Sequence, residues 1–271
     1  MDGRIPSYDE LATDRPRRLR IPRSRRLVID VLHYRAKVPT CAHDRLCDFR
    51  GVAEARERCP VRISWSILFI KAFGLVAARL PVLRQTYQRW PWPHVYQHPS
   101  SVAMVATHRD FEGEPWLFWS RFSSPEAKPL ARLQASLDRY LTDPVETTFP
   151  WQYQLSGFPT LVRRLLWSWT LNIGGPNRVR RSGTFFLTTL AGQGAEIQHP
   201  PAFLTTNATY GPIDENGKSR VTLAYDHRLM DGRLIADALA GIEEALNGPM
   251  VAELDSIAAG PRVETPVARA A

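Results

Sequence analysis

The sequence predicts one α/β domain, because strand-like and helix-like segments alternate along a chain that can bury a full core. The chain has 271 residues, and 44% of them are hydrophobic. Single domains of about 250 residues are common. Residues 220–226 have the pattern of a strand and lead into a helical pattern over 234–246. Residues 182–190 form a second strand pattern that runs into a glycine-containing turn.

Composition places the domain at residues 23–250, between two tails. Residues 1–22 carry arginines and prolines without apolar periodicity, which is typical of a disordered basic tail. Residues 251–271 become rich in alanine, proline and arginine, and we expect a flexible C-terminal tail there.

Neither end predicts a membrane or secretory segment. No apolar stretch follows the N-terminal charges, as a signal peptide requires. The apolar run over residues 63–80 is interrupted by Lys71 and Arg79 and begins after a possible helix cap, Ser64, so it predicts a buried helix. We expect a soluble, cytoplasmic protein. Three cysteines without paired spacing predict reduced thiols and no metal site: Cys41, Cys47 and Cys59.

A histidine lies where the strand over residues 220–226 ends. Imidazole has an unperturbed pKa of about 6.5 and can take and return a proton near neutral pH, so His227 is a candidate general base. Asp231 follows four residues later and could brace the turn, with Gly232 beside it to permit a strained backbone. The alternative interpretation is that His227 and Asp231 merely cap the strand and the helix.

Two threonines end the upstream strand. The hydroxyl of Thr188 or of Thr189 could donate a hydrogen bond to a developing oxyanion. Threonine is common in strands, so this feature is weak by itself.

Together the two segments resemble the acyltransferase catalytic domain of the 2-oxoacid dehydrogenase complexes and its relative chloramphenicol acetyltransferase. Residues 226–232 match every fixed position of the family pattern Asp-His-Arg-x-x-Asp-Gly. Residues 183–191 are similar to the family's Gly-Thr-Phe-Thr-Ile-Ser-Asn-Leu-Gly strand, with Thr188 at the position of its serine. With weaker patterns in the same order, the resemblance covers about residues 23–247.

The resemblance implies a two-layer α/β sandwich, a mixed sheet flanked by helices, assembled as a homotrimer. It implies that His227 acts as the base and that Thr188 of a neighbouring subunit, with Thr189 as the alternative, stabilises the oxyanion. Asp231 would hold the histidine loop against an arginine of the first helix, Arg25 or Arg26. Coenzyme A thioester is the first choice of donor and an acyl carrier protein the second. The acceptor, a small molecule or a carrier-bound group, is not identified by the sequence.

The chain departs from the family in two segments. Where the family has a strand that lines its substrate channel, this chain has Trp116, Phe118 and Trp119, which predicts a reshaped channel for a flatter or more apolar acceptor. Residues 147–181 are longer than the family connection and rich in aromatic and basic residues. No lipoyl domain or swinging linker precedes the core, so we do not expect a self-contained lipoate-carrying subunit.

The net charge of +8 leaves several partners open. Nucleic acid, an anionic membrane and an acidic ligand all attract basic proteins, and ordinary solvated arginines would give the same charge. No nucleic-acid-reading module is visible, which disfavours that partner.

Residues 158–171 mix leucines, tryptophans and arginines. We expect them to pack across a subunit boundary, with membrane attachment as the minority alternative.

Two rival functions remain. The chain could be a noncatalytic trimeric scaffold whose channel is plugged by Trp116 and Trp119. It could also resemble a nonribosomal-peptide condensation enzyme, but that motif has two adjacent histidines, and Tyr225-Asp226 stand where the first is expected.

Overall fold

A six-stranded mixed β-sheet forms the middle of the protein. The computed structural model describes residues 20–201 and 203–260. The strand order is β1-β8-β7-β6-β4-β5, and β2 pairs with β3 in a separate hairpin. The strands are β1 Thr40–Asp48, β2 Gln85–Gln88, β3 His94–Gln97, β4 Val102–Phe111, β5 Glu114–Ser123, β6 Phe185–Leu187, β7 Thr206–Tyr210 and β8 Lys218–Asp226.

Helices lie on both faces of this sheet. They are α1 Arg23–Arg35, α2 Arg50–Arg58, α3 Trp65–Arg79, α4 Leu130–Thr142, α5 Val145–Thr148, α6 Pro150–Gly157, α7 Thr160–Asn172, α8 Arg178–Ser182, α9 Gly232–Ala245 and α10 Val251–Ala258.

The direction of the strands confirms the predicted mixed sheet flanked by helices. Strands β4, β6 and β7 run parallel to one another, whereas β5 and β8 pair antiparallel with their neighbours, and β1 pairs antiparallel with β8. The two predicted strands are β6 and β8, and the predicted helix after the histidine motif is α9.

The larger core lies between one face of the sheet and helices α2, α3, α9 and α10. Helix α3 is the predicted buried helix, and its residues 67–74 are all buried. Ser64 occupies its N-cap position but makes no capping hydrogen bond with its side chain. Lys71 is buried and pairs with Glu253 of α10, because a buried ammonium group requires a counter-charge.

Helix α10 corrects the predicted domain boundary at residue 250. Residues 251–258 lie in the range that was expected to be tail, yet they form a helix whose Leu254 is fully buried in the larger core. The carboxylate of Glu253 also accepts a hydrogen bond from the backbone N–H of Leu130 at 2.7 Å. The predicted N-terminal tail lies outside the described residues except for residues 20–22.

A smaller core on the opposite face joins α1 and α7 to strands β4, β5 and β6. A buried ion pair links two of these helices: Asp30 of α1 is fully buried, and Arg163 of α7 donates to its carboxylate from Nε at 2.6 Å and from Nη2 at 3.3 Å. Arg163 also donates to the carbonyl of Phe158 at 2.8 Å. Arg163 is therefore a structural residue rather than a solvated or interfacial arginine.

Burial also explains the state of the thiols. Cys41 is exposed, whereas Cys47 and Cys59 are buried, and all three are free. Burial raises the pKa of the Cys47 thiol to about 12, so this thiol stays protonated at neutral pH. Among the described residues, none of the helices combines the length and the apolar character needed to cross a bilayer.

We predict that Arg163→Ala lowers the free energy of unfolding by about 3–5 kcal/mol, because it leaves the Asp30 carboxylate buried without a counter-charge. Urea unfolding monitored by circular dichroism measures this change. The control is the double variant Asp30→Leu/Arg163→Met, which removes both charges and should recover most of the loss. A double variant as unstable as Arg163→Ala would contradict this role of the pair.

Candidate active site

His227 lies directly beyond the C-terminal end of β8. Its backbone N–H donates to the carbonyl of Pro39 at 3.0 Å, and the preceding Asp226 N–H donates to the carbonyl of Thr205 at 3.0 Å. These bonds hold the turn between β1 and β7. The side chain of His227 is exposed, and its ring lies 5.6 Å from the ring of Tyr225. The imidazole is thus held at the sheet end with its polar atoms accessible.

The two neighbours of His227 form an ion pair that shapes the turn. Arg228 donates to the Asp226 carboxylate from Nε at 2.8 Å and from Nη2 at 2.6 Å, and its backbone N–H donates to the same carboxylate at 3.1 Å. The guanidinium of Arg228 also lies over the ring of Tyr87, 4.1 Å from its centroid. Asp226 is buried. Both residues therefore stabilise the loop instead of reacting.

Asp231 does not meet the predicted arginine. It is exposed and is the N-cap of α9, where its carboxylate accepts from the backbone N–H of Leu234 at 3.0 Å. Arg26 instead donates to the carbonyl of Ser156 at 3.3 Å. The prediction that Arg25 or Arg26 braces Asp231 is wrong for this protomer, because α1 packs against α6. The alternative interpretation, helix capping, is confirmed for Asp231.

Gly232 is required for space rather than for strained backbone. Its φ is not in the left-handed region. A Cβ atom at this position would lie 3.2 Å from Cε1 and 3.3 Å from Nε2 of His43. The ring of His43 stacks on Tyr225 with centroids 5.5 Å apart, so the glycine lets this stack sit against the histidine turn.

We predict that Asp231→Ala lowers the free energy of unfolding by about 1 kcal/mol, because it removes the cap of α9. Asp231→Asn keeps a side-chain oxygen at the cap and should stay within a few tenths of a kcal/mol of the parent protein. Urea unfolding of the two variants measures this difference. Equal losses in both variants would show that the charge, and not the cap, is what matters.

The two threonines have different roles. The Thr189 hydroxyl donates to the carbonyl of Tyr210 at 2.8 Å and accepts from the N–H of Ala191 at 3.0 Å. The hydroxyl of Thr189 is therefore already used as a donor and as an acceptor within the fold. Thr188 is half-buried, and its backbone N–H donates to the carbonyl of Ala208 at 3.1 Å. Among the described residues its hydroxyl has no hydrogen bond, so the Thr188 hydroxyl, unlike that of Thr189, is available to another group.

Within one protomer, His227 lies beyond the C-terminal end of β8, whereas Thr188 lies level with the middle of that strand. Thr188 is at the level of Thr222 on β8, because Leu187 pairs with Ala208 and Ala208 pairs with Leu223. Five residues of β8 separate this level from His227, which corresponds to about 16 Å along the strand. Two strand spacings add about 10 Å across the sheet. The histidine of one protomer therefore cannot contact its own Thr188.

A basic cleft opens beside the histidine turn. It has a volume of about 390 Å³. Its charged lining residues are Lys37, Arg89, Arg178 and Arg228. Burial lowers the pKa of Arg178 to about 10, and the nearby Asp226 carboxylate opposes this shift. Arg178 donates to the carbonyl of Tyr87 at 2.8 Å. Its Nε is buried and has no partner among the described residues.

The aromatic residues of β5 divide between the two faces of the sheet. Trp116 and Phe118 are buried in a separate cluster with Val145 and Phe149, and their rings stack with centroids 5.3 Å apart. They do not line a channel, which corrects the prediction for these two residues. Trp119 points to the other face and lines an apolar cavity there, because side chains alternate along a strand.

Comparisons with known proteins support the fold. The sequence matches no protein-family model and no curated protein. Dihydrolipoamide acetyltransferase of Azotobacter vinelandii is similar in structure with a TM-score of 0.63 at 14% identity, over 93% of this chain and 99% of that chain. The catalytic core of a 2-oxoacid dehydrogenase complex from Thermoplasma acidophilum gives 0.62 at 14% identity, over 86% and 99%.

The cubic core of a pyruvate dehydrogenase multienzyme complex is also similar, with a TM-score of 0.60 at 15% identity, over 93% of this chain and 99% of that chain. The protein therefore has the fold of the acyltransferase cores of the 2-oxoacid dehydrogenase complexes, as the sequence resemblance implied.

Sequence reasoning missed two residues of the cleft. Arg178 was grouped with the excess basic charge of its segment, and Arg89 was not singled out. No spacing links Arg178 to Asp226, because 48 positions separate them in the chain. Only the folded chain brings Arg178 near Asp226, whose carboxylate acts to raise the pKa of Arg178.

Proposed function

We propose that this protein is an acyltransferase that moves an acyl group from a coenzyme A thioester to a small-molecule or carrier-bound acceptor. Its active site would be shared by two protomers of a homotrimer. The observation that carries the proposal is the wide separation of His227 and Thr188 within one protomer, each with polar side-chain atoms that no described residue occupies. A base and an oxyanion donor placed in this way can meet at one site only when the histidine belongs to one copy of the chain and the threonine to another.

The chemistry follows from these two groups. The imidazole of His227 takes the proton of the acceptor's hydroxyl, amine or thiol as that atom attacks the thioester carbonyl, a role that accelerates reactions about 10²–10⁴-fold. The Thr188 hydroxyl of the neighbour donates to the oxyanion of the tetrahedral intermediate, which is worth about 10²–10³-fold. The intermediate collapses, the carbon–sulfur bond breaks, and the leaving thiolate takes the proton back from His227.

Neighbouring structures support the roles of these residues. In the Azotobacter vinelandii protein, a serine, a histidine and an asparagine have been studied for their role in the catalytic mechanism, and the last two lie four residues apart. In this chain His227 and Asp231 are four residues apart, and Thr188 supplies a hydroxyl. Asp231 would then act as a positioning residue through the cap of α9.

The basic cleft supports coenzyme A as the donor. It begins at Arg228, the residue after the histidine, and its other cations are Lys37, Arg89 and Arg178. Phosphate groups bind well to arginine guanidinium groups, and Tyr34, Tyr87 and Trp90 offer rings beside them. The one carboxylate at this place, Asp226, is already paired with Arg228. An acidic carrier protein is the alternative donor. A cytoplasmic location remains a prediction.

An exposed apolar stripe on α7 supports self-association. Four exposed apolar residues are spaced four positions apart, so they lie along one face of α7 and continue to the residue after its end. They are Leu161, Leu165, Trp169 and Ile173. Leu161 is 72% exposed and Leu165 is 62% exposed. Monomeric proteins rarely leave such a contiguous surface uncovered. We propose that a second copy of the chain covers it.

We predict that coexpression of His227→Ala and Thr188→Ala chains restores activity that neither variant has alone. In a mixed trimer, a site is intact when an unchanged His227 meets an unchanged Thr188 of its neighbour. Random mixing makes about one quarter of the sites intact. The measurement is thiol release from acetyl-, succinyl- and longer acyl-CoA, with alcohols, amines and thiols as acceptors.

The matched control is coexpression of His227→Ala with Thr189→Ala, and urea unfolding of each variant shows whether its fold is retained. Activity from the His227→Ala/Thr188→Ala mixture no higher than that of the single variants would contradict the shared site. If the unchanged protein releases no thiol with any donor and acceptor, the chain is a noncatalytic scaffold.

We also predict that Arg89→Gln raises the KM for acyl-CoA about fivefold, because it removes one exposed phosphate contact worth about 1 kcal/mol. The value of kcat should be retained, since Arg89 does not touch the reacting atoms. Steady-state kinetics at low and high salt measure this split. Arg62→Gln, an exposed arginine outside the cleft, serves as the control, and an equal rise of KM in both variants would count against the cleft.

A further inference from the structure

A second cavity borders the smaller core, between strands β4 and β5 and helices α1, α6, α7 and α8. Its volume is about 380 Å³, within the lower part of the range for small-molecule sites. Its interior is apolar, with walls formed by Leu27, Met104, Trp119, Leu155 and Trp167.

The charged residues of this cavity all have the same sign. Arg121, Arg180 and Arg181 line it and are exposed, so they form its mouth. No carboxylate lines the cavity in the described part of the chain. Arg121 donates to the carbonyl of Arg180 at 3.1 Å, which holds the backbone of α8 against β5. The cavity is therefore apolar inside and positively charged at its entrance.

Two buried polar groups of the wall lack partners. The indole N–H of Trp167 and the hydroxyl of Ser182 have no hydrogen bond among the described residues. Both residues line the cavity and are more than nine-tenths buried. Buried donors are nearly always satisfied in folded proteins, so these two groups point to an acceptor that a bound molecule supplies. Gln152 also lines the cavity, but its side-chain amide already has partners. It donates to the carbonyl of Trp119 and accepts from the N–H of Trp119, both at 2.9 Å.

The cavity is separate from the histidine turn. Both this cavity and the basic cleft border the smaller core, but no described residue lines both of them. Strand β4, which lines the cavity, is also three strands from β8, which corresponds to about 14 Å. Binding in this cavity therefore requires no residue of the proposed acyl-transfer site.

We propose that this cavity binds a single-chain amphipathic carboxylate. Its hydrocarbon chain would lie against Trp119, Leu155 and Met104. Its carboxylate would accept hydrogen bonds from Arg180 and Arg181 at the mouth, and from the Ser182 hydroxyl and the Trp167 indole N–H in the wall. The apolar interior excludes a fully charged ligand, and the three arginines favour an anion over a neutral or cationic head group.

Isothermal titration calorimetry tests this binding with dodecanoate, dodecanol and dodecyltrimethylammonium, each below its micelle concentration. We expect dodecanoate to bind with one molecule per chain, and the other two amphiphiles to bind about tenfold more weakly or not at all. Arg180→Gln/Arg181→Gln should raise the Kd of dodecanoate about tenfold and leave dodecanol binding unchanged.

The matched control is Arg62→Gln/Arg233→Gln, which removes the same charge from exposed positions outside the cavity and should bind dodecanoate like the unchanged protein. Leu166→Trp places a larger side chain in the cavity wall and should abolish binding while the thermal unfolding temperature is retained. His227→Ala should bind normally, which separates this proposal from the proposed activity.

Equal affinities for the three head groups would overturn the proposal. So would equal dodecanoate binding by Arg180→Gln/Arg181→Gln and the control double variant. A wild-type protein that binds none of the three amphiphiles would also overturn it, and analytical ultracentrifugation would then show whether a second copy of the chain covers this face.

Discussion

The direction of strand β8 is the constraint on which the candidate site depends. Strands β6 and β7 run parallel, and β8 returns antiparallel beside β7. The chain therefore leaves β6 and β8 in opposite directions, β6 level with the middle of β8 and β8 at its own far end. Thr188 and His227 follow these two strand ends, so no side-chain rotation can bring them together in one protomer. The basic cleft lies on the histidine side of this separation, because Arg228 lines it.

The ion pair between Asp30 and Arg163 fixes the position of α7. This helix is the longest in residues 147–181, the segment that the sequence predicts to be longer than the family connection. Arg163 fixes α7 against α1 through two hydrogen bonds to one fully buried carboxylate. The helix then covers part of the sheet face opposite the larger core. The cavity with the arginine mouth exists because of this cover.

Local features of the site were accessible from the sequence, whereas contacts between distant segments were not. The strand that ends at Asp226 and the helix that follows Asp231 are encoded in consecutive residues. The predicted arginine partner of Asp231 was wrong because it depended on where α1 packs. No residue spacing in the sequence indicates the packing position of α1. The sequence analysis assigned Trp116, Phe118 and Trp119 to one channel, although side chains alternate along a strand and the structure puts Trp119 on the other face. Lys71 was interpreted only as an interruption of an apolar run, and its partner Glu253 lies beyond the expected domain boundary.

The burial of Arg178 has a consequence for ionic strength. Dissolved ions screen exposed charges over a Debye length of about 8 Å at physiological salt, but they cannot enter the protein interior around a buried guanidinium. The exposed Arg89 and the buried Arg178 therefore respond differently to a rise in salt concentration. Arg89 attracts an anion over a long range in dilute buffer. Arg178 keeps its attraction for an anion in concentrated salt.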